Sequence, residues 1–190
     1  MEQSSPLDAV SSLRAYFLRN HLLLCNDNAF LPSLNDAGGD WNAIVYLIET
    51  REAVYSKAYR KRTTYLSLAL YTMLKPYKQR FNKLSAESRR IYDFLSACGP
   101  VSTQGIKDAL MLSSKSFSAA FDPLLSELLV TAMERDRTMN ETWSSFLWGT
   151  CSQWEATLKH PLPMAEPSEA NLLALLSHLM PPKQIAALMK

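Results

Sequence analysis

The segment from Ser85 to Trp148 reads SAESRRIYDFLSACGPVSTQGIKDALMLSSKSFSAAFDPLLSELLVTAMERDRTMNETWSSFLW. In its first part, apolar residues recur at three- and four-residue spacings, and these are Ile91, Phe94, Leu95 and Cys98. This spacing predicts a helix that begins at Ser85. The helix ends at Gly99-Pro100, because glycine accepts the left-handed turn after a helix and proline cannot continue the hydrogen-bond ladder.

Two more helices are predicted in the middle of the segment. The first fits Thr103 to Leu110, with Ser102 or Thr103 as its cap, and its apolar face consists of Ile106, Ala109 and Leu110. The second begins at Ser113-Ser114, and its apolar residues at the helical period are Phe117, Phe121, Leu124 and Leu128. Pro123 lies inside it and predicts a kink or an early end, because proline lacks the amide that would bond to Ala119.

The last part of the segment predicts a pair of strands. Leu129 to Met133 and Thr142 to Trp148 are rich in β-branched and apolar residues, and the charged turn Glu134 to Glu141 separates them. Three short helices followed by a hairpin are the order of a winged helix-turn-helix, in which the turn is the wing. We therefore predict a mainly α fold built on a winged helix-turn-helix, with helical segments on either side.

The third predicted helix occupies the position of a recognition helix, whose N-terminal end meets the major groove of DNA. Its first turn offers short hydrogen-bond donors and one cation: Ser113, Ser114, Lys115 and Ser116. Arg135 and Arg137 lie in the predicted wing. The segment thus predicts contact with double-stranded DNA.

Charge is distributed unevenly along the chain. Between Arg51 and Arg90 there are eleven lysine and arginine residues against two acids, a local balance of +9, although the whole chain carries only +2. A concentration of this kind is typical of a protein that contacts phosphate groups, and Arg60, Lys61 and Arg62 are its densest cluster. The alternative is that these cations belong to solvated helix faces and that the neighbouring Tyr59 is buried packing.

Helices are also predicted on both sides of the winged unit. In the N-terminal part they cover Pro6 to Cys25, Asp40 to Tyr59 and Leu66 to Leu74. After a proline-containing linker, Ser168 caps a helix that includes Leu172, Leu173, Leu176 and Leu179, and Pro181-Pro182 opens another. This pair resembles the start of a second winged helix. The expected domains are residues 1–84, 85–158 and 159–190.

Composition excludes several other classes of protein. With 190 residues and 47% apolar content, the chain is long enough to bury a core in one or two compact units. Cys25, Cys98 and Cys151 are too far apart for a zinc motif and odd in number, so we expect no metal, no cofactor and a reducing cytoplasm. No apolar run approaches the roughly 20 residues that cross a bilayer, and we expect no membrane association.

The chain resembles proteins related to AlkZ, a group similar to the AlkZ/YcaQ-type DNA glycosylases. The resemblance covers roughly residues 30 to 190. Four stretches carry it: Leu31-Pro32-Ser33-Leu34, the run from Glu49 to Leu68, the run from Arg90 to Leu95, and the run from Gly99 to Thr103. It implies tandem winged helices and a role on alkylated or crosslinked DNA.

The resemblance leaves the question of enzymatic activity open. Catalysis in these glycosylases is attributed to a Gln-apolar-Gln or Gln-apolar-Asp element on the N-terminal side, and the sequence has no such triplet. The nearest string, Gln153-Trp154-Glu155, follows the wing, so no catalytic residue is carried over. A DNA glycosylase and a winged-helix module that binds a protein partner or forms a homodimer remain alternatives to a DNA-binding protein.

Aromatic residues cluster around the second predicted strand, and they are Trp143, Phe146, Trp148 and Trp154. Such rings stack on an extruded base in some nucleic-acid-binding proteins. The alternative is that they form the inner face of the wing and pack on the helices, because each ring buries a large area. Both interpretations fit the sequence.

Overall fold

A computed structural model describes residues 6–140 and 143–190. The helices are α1 (Pro6–Asn20), α2 (Trp41–Glu49), α3 (Leu68–Leu74), α4 (Ala86–Cys98), α5 (Thr103–Leu110), α6 (Ser114–Ser126), α7 (Cys151–Ala156), α8 (Glu169–Leu176) and α9 (Pro182–Leu188). The strands are β1 (Leu22–Leu24), β2 (Ala53–Ser56), β3 (Thr64–Ser67), β4 (Val101–Ser102), β5 (Val130–Asn140) and β6 (Trp143–Thr150). About half of the chain is helical and the strands form two three-stranded antiparallel sheets, so the fold is mixed α and β rather than mainly α.

The first sheet has the order β1-β3-β2 and corrects the predicted N-terminal helices. The helix predicted over Pro6 to Cys25 ends at Asn20, and the next residue, His21, has a φ of 62°. The helix predicted from Asp40 to Tyr59 ends at Glu49, and Arg51 has a φ of 65°. In both cases a short apolar run pairs with β3 instead, and such runs fit a strand or a helix equally well by sequence.

The third N-terminal prediction is half correct. Of the helix predicted over Leu66 to Leu74, the residues from Leu68 onward form α3, while Leu66 and Ser67 belong to β3. Ser67 is the junction, because its hydroxyl accepts a hydrogen bond from the Leu70 amide at 3.2 Å and caps the helix. His21 has a structural role at the same junction, where its Nδ1 lies 2.9 Å from Ser67 Oγ.

The bounds of α4 and α5 and the start of α6 agree with the prediction from the sequence. Ser85, Ser102 and Ser113 cap α4, α5 and α6, and each hydroxyl accepts a hydrogen bond from the amide three residues later. Gly99 follows α4 with a φ of 80°, as expected of a glycine that ends a helix. One detail of α5 was wrong: Ile106 is fully buried but Ala109 is exposed.

Helix α6 continues through Pro123 and ends at Ser126. Leu124 and Leu125, which follow the proline, are 0% and 2% exposed. Their burial maintains the helix although the proline removes one backbone hydrogen bond. Leu128, which was assigned to the helix, lies beyond its end with a φ of 52° and is buried there.

The second sheet has the order β4-β6-β5, and the predicted antiparallel pair is present. The turn predicted over Glu134 to Glu141 is wrong for the most part, since Glu134 to Asn140 belong to β5. Register shifts interrupt this strand between Ala132 and Glu134 and again further along. Charged residues remain in a strand here because their backbone groups pair with β6. Glu141 and Thr142, also part of these predictions, lie outside the described residues.

Two clusters of buried apolar residues hold the molecule together. The first joins α1 and α2 to α4, α6 and the β5–β6 pair, and the second joins the first sheet and α3 to α7, α8 and α9. In the C-terminal part, Ser168 caps α8 as predicted, although α8 ends at Leu176 and does not include Leu179. No helix in residues 6–140 or 143–190 has the length and apolar character needed to cross a membrane.

Candidate nucleic-acid interface

The first turn of α6 is exposed to solvent. Ser113, Ser114, Lys115 and Ser116 all have exposed side chains. The Ser113 hydroxyl accepts the Ser116 amide at 3.1 Å and lies 2.9 Å from the Ser116 hydroxyl, so it also holds the turn in shape. The Lys107 ammonium donates to Ser114 Oγ at 3.4 Å and adds a second cation beside Lys115.

The loop between β2 and β3 carries the densest group of cations. Arg60, Lys61 and Arg62 are exposed, and Arg60 and Lys61 adopt left-handed conformations with φ values of 49° and 55°. We call residues 57–63 the basic loop. A left-handed backbone at two successive residues turns the loop sharply, and Lys61 contacts a different part of the molecule from Arg60 and Arg62.

The basic loop is attached to α6 through Lys57. The Lys57 amide donates to the Leu125 carbonyl at 3.3 Å, and the Ser126 hydroxyl donates to the Lys57 carbonyl at 3.1 Å. The Lys57 ammonium forms an ion pair with Asp122 at 2.6 Å. These bonds fix the start of the basic loop against the C-terminal half of α6.

Lys61 reaches the exposed face of α6. It lines a cavity of about 460 Å³ together with Lys83 and residues of α6 that include Ser118 and Ala119. Lys115 lies three residues before Ser118, which is about 4.5 Å along a helix axis. The acids in this cavity, Asp122 and Glu127, already pair with Lys57 and Arg80.

Arg60 and Arg62 do not line that cavity and share one aromatic neighbour. The guanidinium carbons of Arg60 and Arg62 lie 4.5 and 5.9 Å from the ring centre of Phe30, which is 49% exposed. Arg60 also lines a cavity with Lys183 and Gln184 of α9. Tyr59 is 2% exposed and donates to Gln184 at 2.7 Å, so the buried-packing interpretation of this tyrosine is correct.

Other cations of the segment from Arg51 to Arg90 have acidic partners elsewhere in the chain. Lys57, Lys75 and Arg80 form ion pairs with Asp122, Glu155 and Glu127 at 2.6 to 2.7 Å. Arg51 donates to the Met133 carbonyl and lies 3.8 Å from Glu134. Part of the basic segment therefore serves to join the N-terminal third to later elements, an arrangement that the sequence alone did not suggest.

The two arginines assigned to the wing lie in strand β5. Arg137 is exposed, whereas Arg135 is half-buried and its Nε lies 3.8 Å from Glu49 Oε1 at the end of α2. The backbone amide of Arg135 donates to the same carboxylate oxygen at 3.1 Å. The structure thus brings Lys61 to α6, while it connects Arg135 to α2.

An aromatic cavity lies where α2, β2 and β6 meet. It measures about 690 Å³, and its aromatic residues are Trp41, Tyr55, Phe146 and Trp148. Burial raises the pKa of Tyr55 to about 12, and the Trp148 indole donates to Thr103 at 2.9 Å. Sequence reasoning missed Trp41 and Tyr55, because they are distant in the chain from Phe146.

Two aromatic residues of the predicted cluster lie elsewhere. Trp154 is fully buried against Tyr71, with ring centres 5.6 Å apart, so it is part of the core and does not form a stacking platform. The side chain of Trp143 lies outside the described residues. The cavity therefore retains only Phe146 and Trp148 of the cluster that the sequence indicated.

Comparison with known proteins places the chain in a family. The model of a family described as AlkZ related matches residues 34–190, which is most of the chain. The chain belongs to this family. No curated protein and no solved structure matches it.

Proposed function

We propose that this protein binds double-stranded DNA through a winged helix formed by residues 85–158, with α6 as the recognition helix. The order α4, β4, α5, α6, β5 and β6 supports this interpretation, since it has three helices followed by an antiparallel pair of strands. The exposed first turn of α6, with Lys115 and its serine hydroxyls, supplies donors for base edges and phosphates.

The observation that carries the proposal is the shared surface of the basic loop and α6. Lys61 and Lys83 line one cavity with Ser118 and Ala119, one helical turn from Lys115. A duplex whose major groove receives the start of α6 would bring a phosphate backbone toward these lysines. Neutralised phosphates release counterions, which favours binding regardless of sequence.

Family membership supports a role in DNA repair or its regulation, because it relates the chain to AlkZ-type proteins. The three cysteines are free thiols, consistent with work in the reducing cytoplasm. In this proposal residues 1–84 carry the basic loop to the winged helix, and residues 159–190 add α8 and α9 beside it.

A titration of fluorescein-labelled duplex, followed by anisotropy, tests this function. We expect affinity to fall steeply between about 50 and 200 mM salt, with a slope that reports the number of phosphates contacted. Replacement of Lys61, Lys83 and Lys115 by alanine together should reduce that slope by about three, one for each lost phosphate contact.

The matched controls for charge replace Arg19 and Lys159 by alanine in separate variants, and a further variant replaces Lys107. Arg19 and Lys159 are exposed cations that do not line the cavity of Lys61, and we expect their replacement to leave the slope unchanged. Lys107, which contacts Ser114, should produce an intermediate effect. Absence of duplex binding at about 50 mM salt would contradict the proposal.

A further inference from the structure

The aromatic cavity has the composition of a site for a flat, unsaturated ring. Of its aromatic lining residues, Phe146 and Trp148 are 4% and 8% exposed, while Trp41 and Tyr55 are half-buried. Its volume of about 690 Å³ lies within the range of pockets that enclose small organic ligands. The cavity is therefore large enough for a nucleobase.

The rings of this cavity hold one another in place. Tyr55 packs on Trp148 at 5.2 Å and on Phe146 at 5.7 Å, measured between ring centres, and Trp41 packs on Phe146 at 5.9 Å. Trp148 is fixed further by its hydrogen bond to Thr103. Because residues of the chain itself hold these rings in place, a flat ring that packs on them loses little to reorganisation.

Polar side chains surround the opening of the aromatic cavity. Asn26, Asn35, Thr63 and Ser145 line it. The Ser145 hydroxyl already donates to Asp136 at 3.1 Å and can only accept from a ligand, whereas the side-chain amide of Asn26 can both donate and accept. The Asp40 carboxylate also lines it, with one oxygen engaged by the Ala43 amide at 2.7 Å. A nucleobase presents hydrogen-bond donors and acceptors along its edge. The polar residues that line the cavity can pair with groups of both kinds.

Arg62 connects the aromatic cavity to the basic loop. It lines a smaller cavity of about 200 Å³ together with Cys25, Asn26 and Thr63, and these three residues also line the aromatic cavity. A guanidinium is well suited to a phosphate oxygen. A nucleotide with its ring in the aromatic cavity would therefore have a cation close to its phosphate.

From this juxtaposition we propose that the aromatic cavity binds a single unpaired base of a DNA strand whose phosphate contacts Arg62. This inference rests on the proposed function, because the rest of the strand would lie on the surface of the basic loop and α6. It adds a preference for DNA with an unpaired nucleotide over a perfect duplex. Binding of the base replaces solvent with aromatic surface and involves no chemical step.

The test compares two labelled duplexes that differ by one extrahelical 2-aminopurine. We expect the bulged duplex to bind about tenfold more tightly than the perfect one, since stacking of one base on aromatic side chains is of this order. The fluorescence of 2-aminopurine should fall on binding, because stacking quenches it. Free deoxyadenosine monophosphate, added as a competitor, distinguishes a site for nucleotides in solution from one that requires a strand.

Variants of α2 provide the matched control. Trp41→Ala removes a half-buried ring of the cavity and should abolish the preference for the bulge, whereas Trp41→Phe should retain most of it. Tyr46→Ala removes a 45% exposed ring of the same helix that does not line the cavity, and it should change nothing. Circular dichroism shows whether each variant is folded.

The outcomes separate the two proposals. Equal affinity for both duplexes, or a preference that Trp41→Ala leaves intact, would overturn the inference about the cavity and leave the proposed function standing. Binding of the bulged duplex alone would overturn binding of intact DNA and support the cavity. Competition by the free nucleotide as strong as that by the bulged duplex would show that no strand is needed, and would overturn the inference. Failure to bind either duplex would overturn both proposals.

Discussion

The cations between Arg51 and Arg90 fall into two groups that the structure treats differently. Lys57 pairs with an acid of α6, Lys75 with an acid of α7, and Arg80 with the acid that directly follows α6. Arg60, Lys61 and Arg62 are exposed and form no ion pair with an acid of residues 6–140 or 143–190. The paired cations therefore stabilise the fold, whereas the exposed cations remain available to a ligand.

The comparison teaches that a count of charges along the sequence overstates a binding surface. A charge balance of +9 between Arg51 and Arg90 suggests one large patch. In the folded chain, acids from outside this segment neutralise several of its cations. The exposed remainder is divided between the basic loop and the stretch that contains Lys83, Arg89 and Arg90. Substitutions can test whether the two groups of cations also differ in their contribution to the free energy of unfolding.

The largest effect on stability is expected at the pair between Arg80 and Glu127. Both nitrogens of the Arg80 fork bind the Glu127 carboxylate, at 2.7 and 2.8 Å, and the two side chains are 24% and 12% exposed. Glu127→Ala leaves the arginine without its partner, and we expect a loss of about 2 kcal/mol in the free energy of unfolding. Urea denaturation measures it. Glu52→Ala, which breaks the exposed pair between Arg14 and Glu52, serves as the reference. If Glu127→Ala lowers the free energy of unfolding by less than Glu52→Ala does, the paired cations would not stabilise the fold more than exposed ones.

A smaller effect of opposite sign is expected at Lys78. This lysine is 7% exposed, and burial lowers its pKa below the usual value although Glu127 opposes the shift. Lys78→Met keeps the length of the side chain and removes a buried charge, so it should raise the free energy of unfolding by about 1 kcal/mol at neutral pH.

The pH dependence at Lys78 provides the control. In the window between the lowered folded pKa and the ordinary value near 10.5, the unfolded chain binds more protons than the folded one. Stability of the natural protein should therefore rise with pH across that window, and Lys78→Met should remove this rise. Destabilisation by Lys78→Met at neutral pH would indicate that the lysine belongs to the paired group.

The smallest effect is expected in the basic loop. Arg60→Ala combined with Arg62→Ala removes two exposed cations that lie over the partly exposed ring of Phe30. We expect the free energy of unfolding to change by less than about 0.5 kcal/mol, as for most surface substitutions. Thermal unfolding followed by circular dichroism checks this. A much larger decrease in the free energy of unfolding would show that Arg60 and Arg62 also stabilise the fold.

Local signals in the sequence predicted some elements closely and others poorly. The bounds of α4 follow from Ser85 and Gly99, and the starts of α5 and α6 follow from Ser102 and Ser113, because the effects of these residues extend only a few positions along the chain. Strands β1 and β2 were assigned to helices, because their stability comes from β3, which is distant in sequence. The charges of β5 suggested a turn for the same reason, since only β6 makes that segment a strand.

The candidate site shows the same limit. Lys115 and the basic loop were recognised from charge and position, and the structure links the basic loop to α6. The cavity was recognised only through Phe146 and Trp148, since nothing near Trp41 or Tyr55 in the sequence indicates that α2 and β2 pack on β6. Residues that meet only after folding leave no local pattern.

The attachment of Lys57 to the end of α6 has a consequence for how tightly a polyanion is held. Loops that become ordered only on association lose conformational entropy at that moment, and this weakens binding. Here the Leu125 carbonyl and the Ser126 hydroxyl hold the backbone where the loop begins. Most of that ordering is therefore completed during folding, and Ser126→Ala should accelerate dissociation while the charge of the surface stays the same.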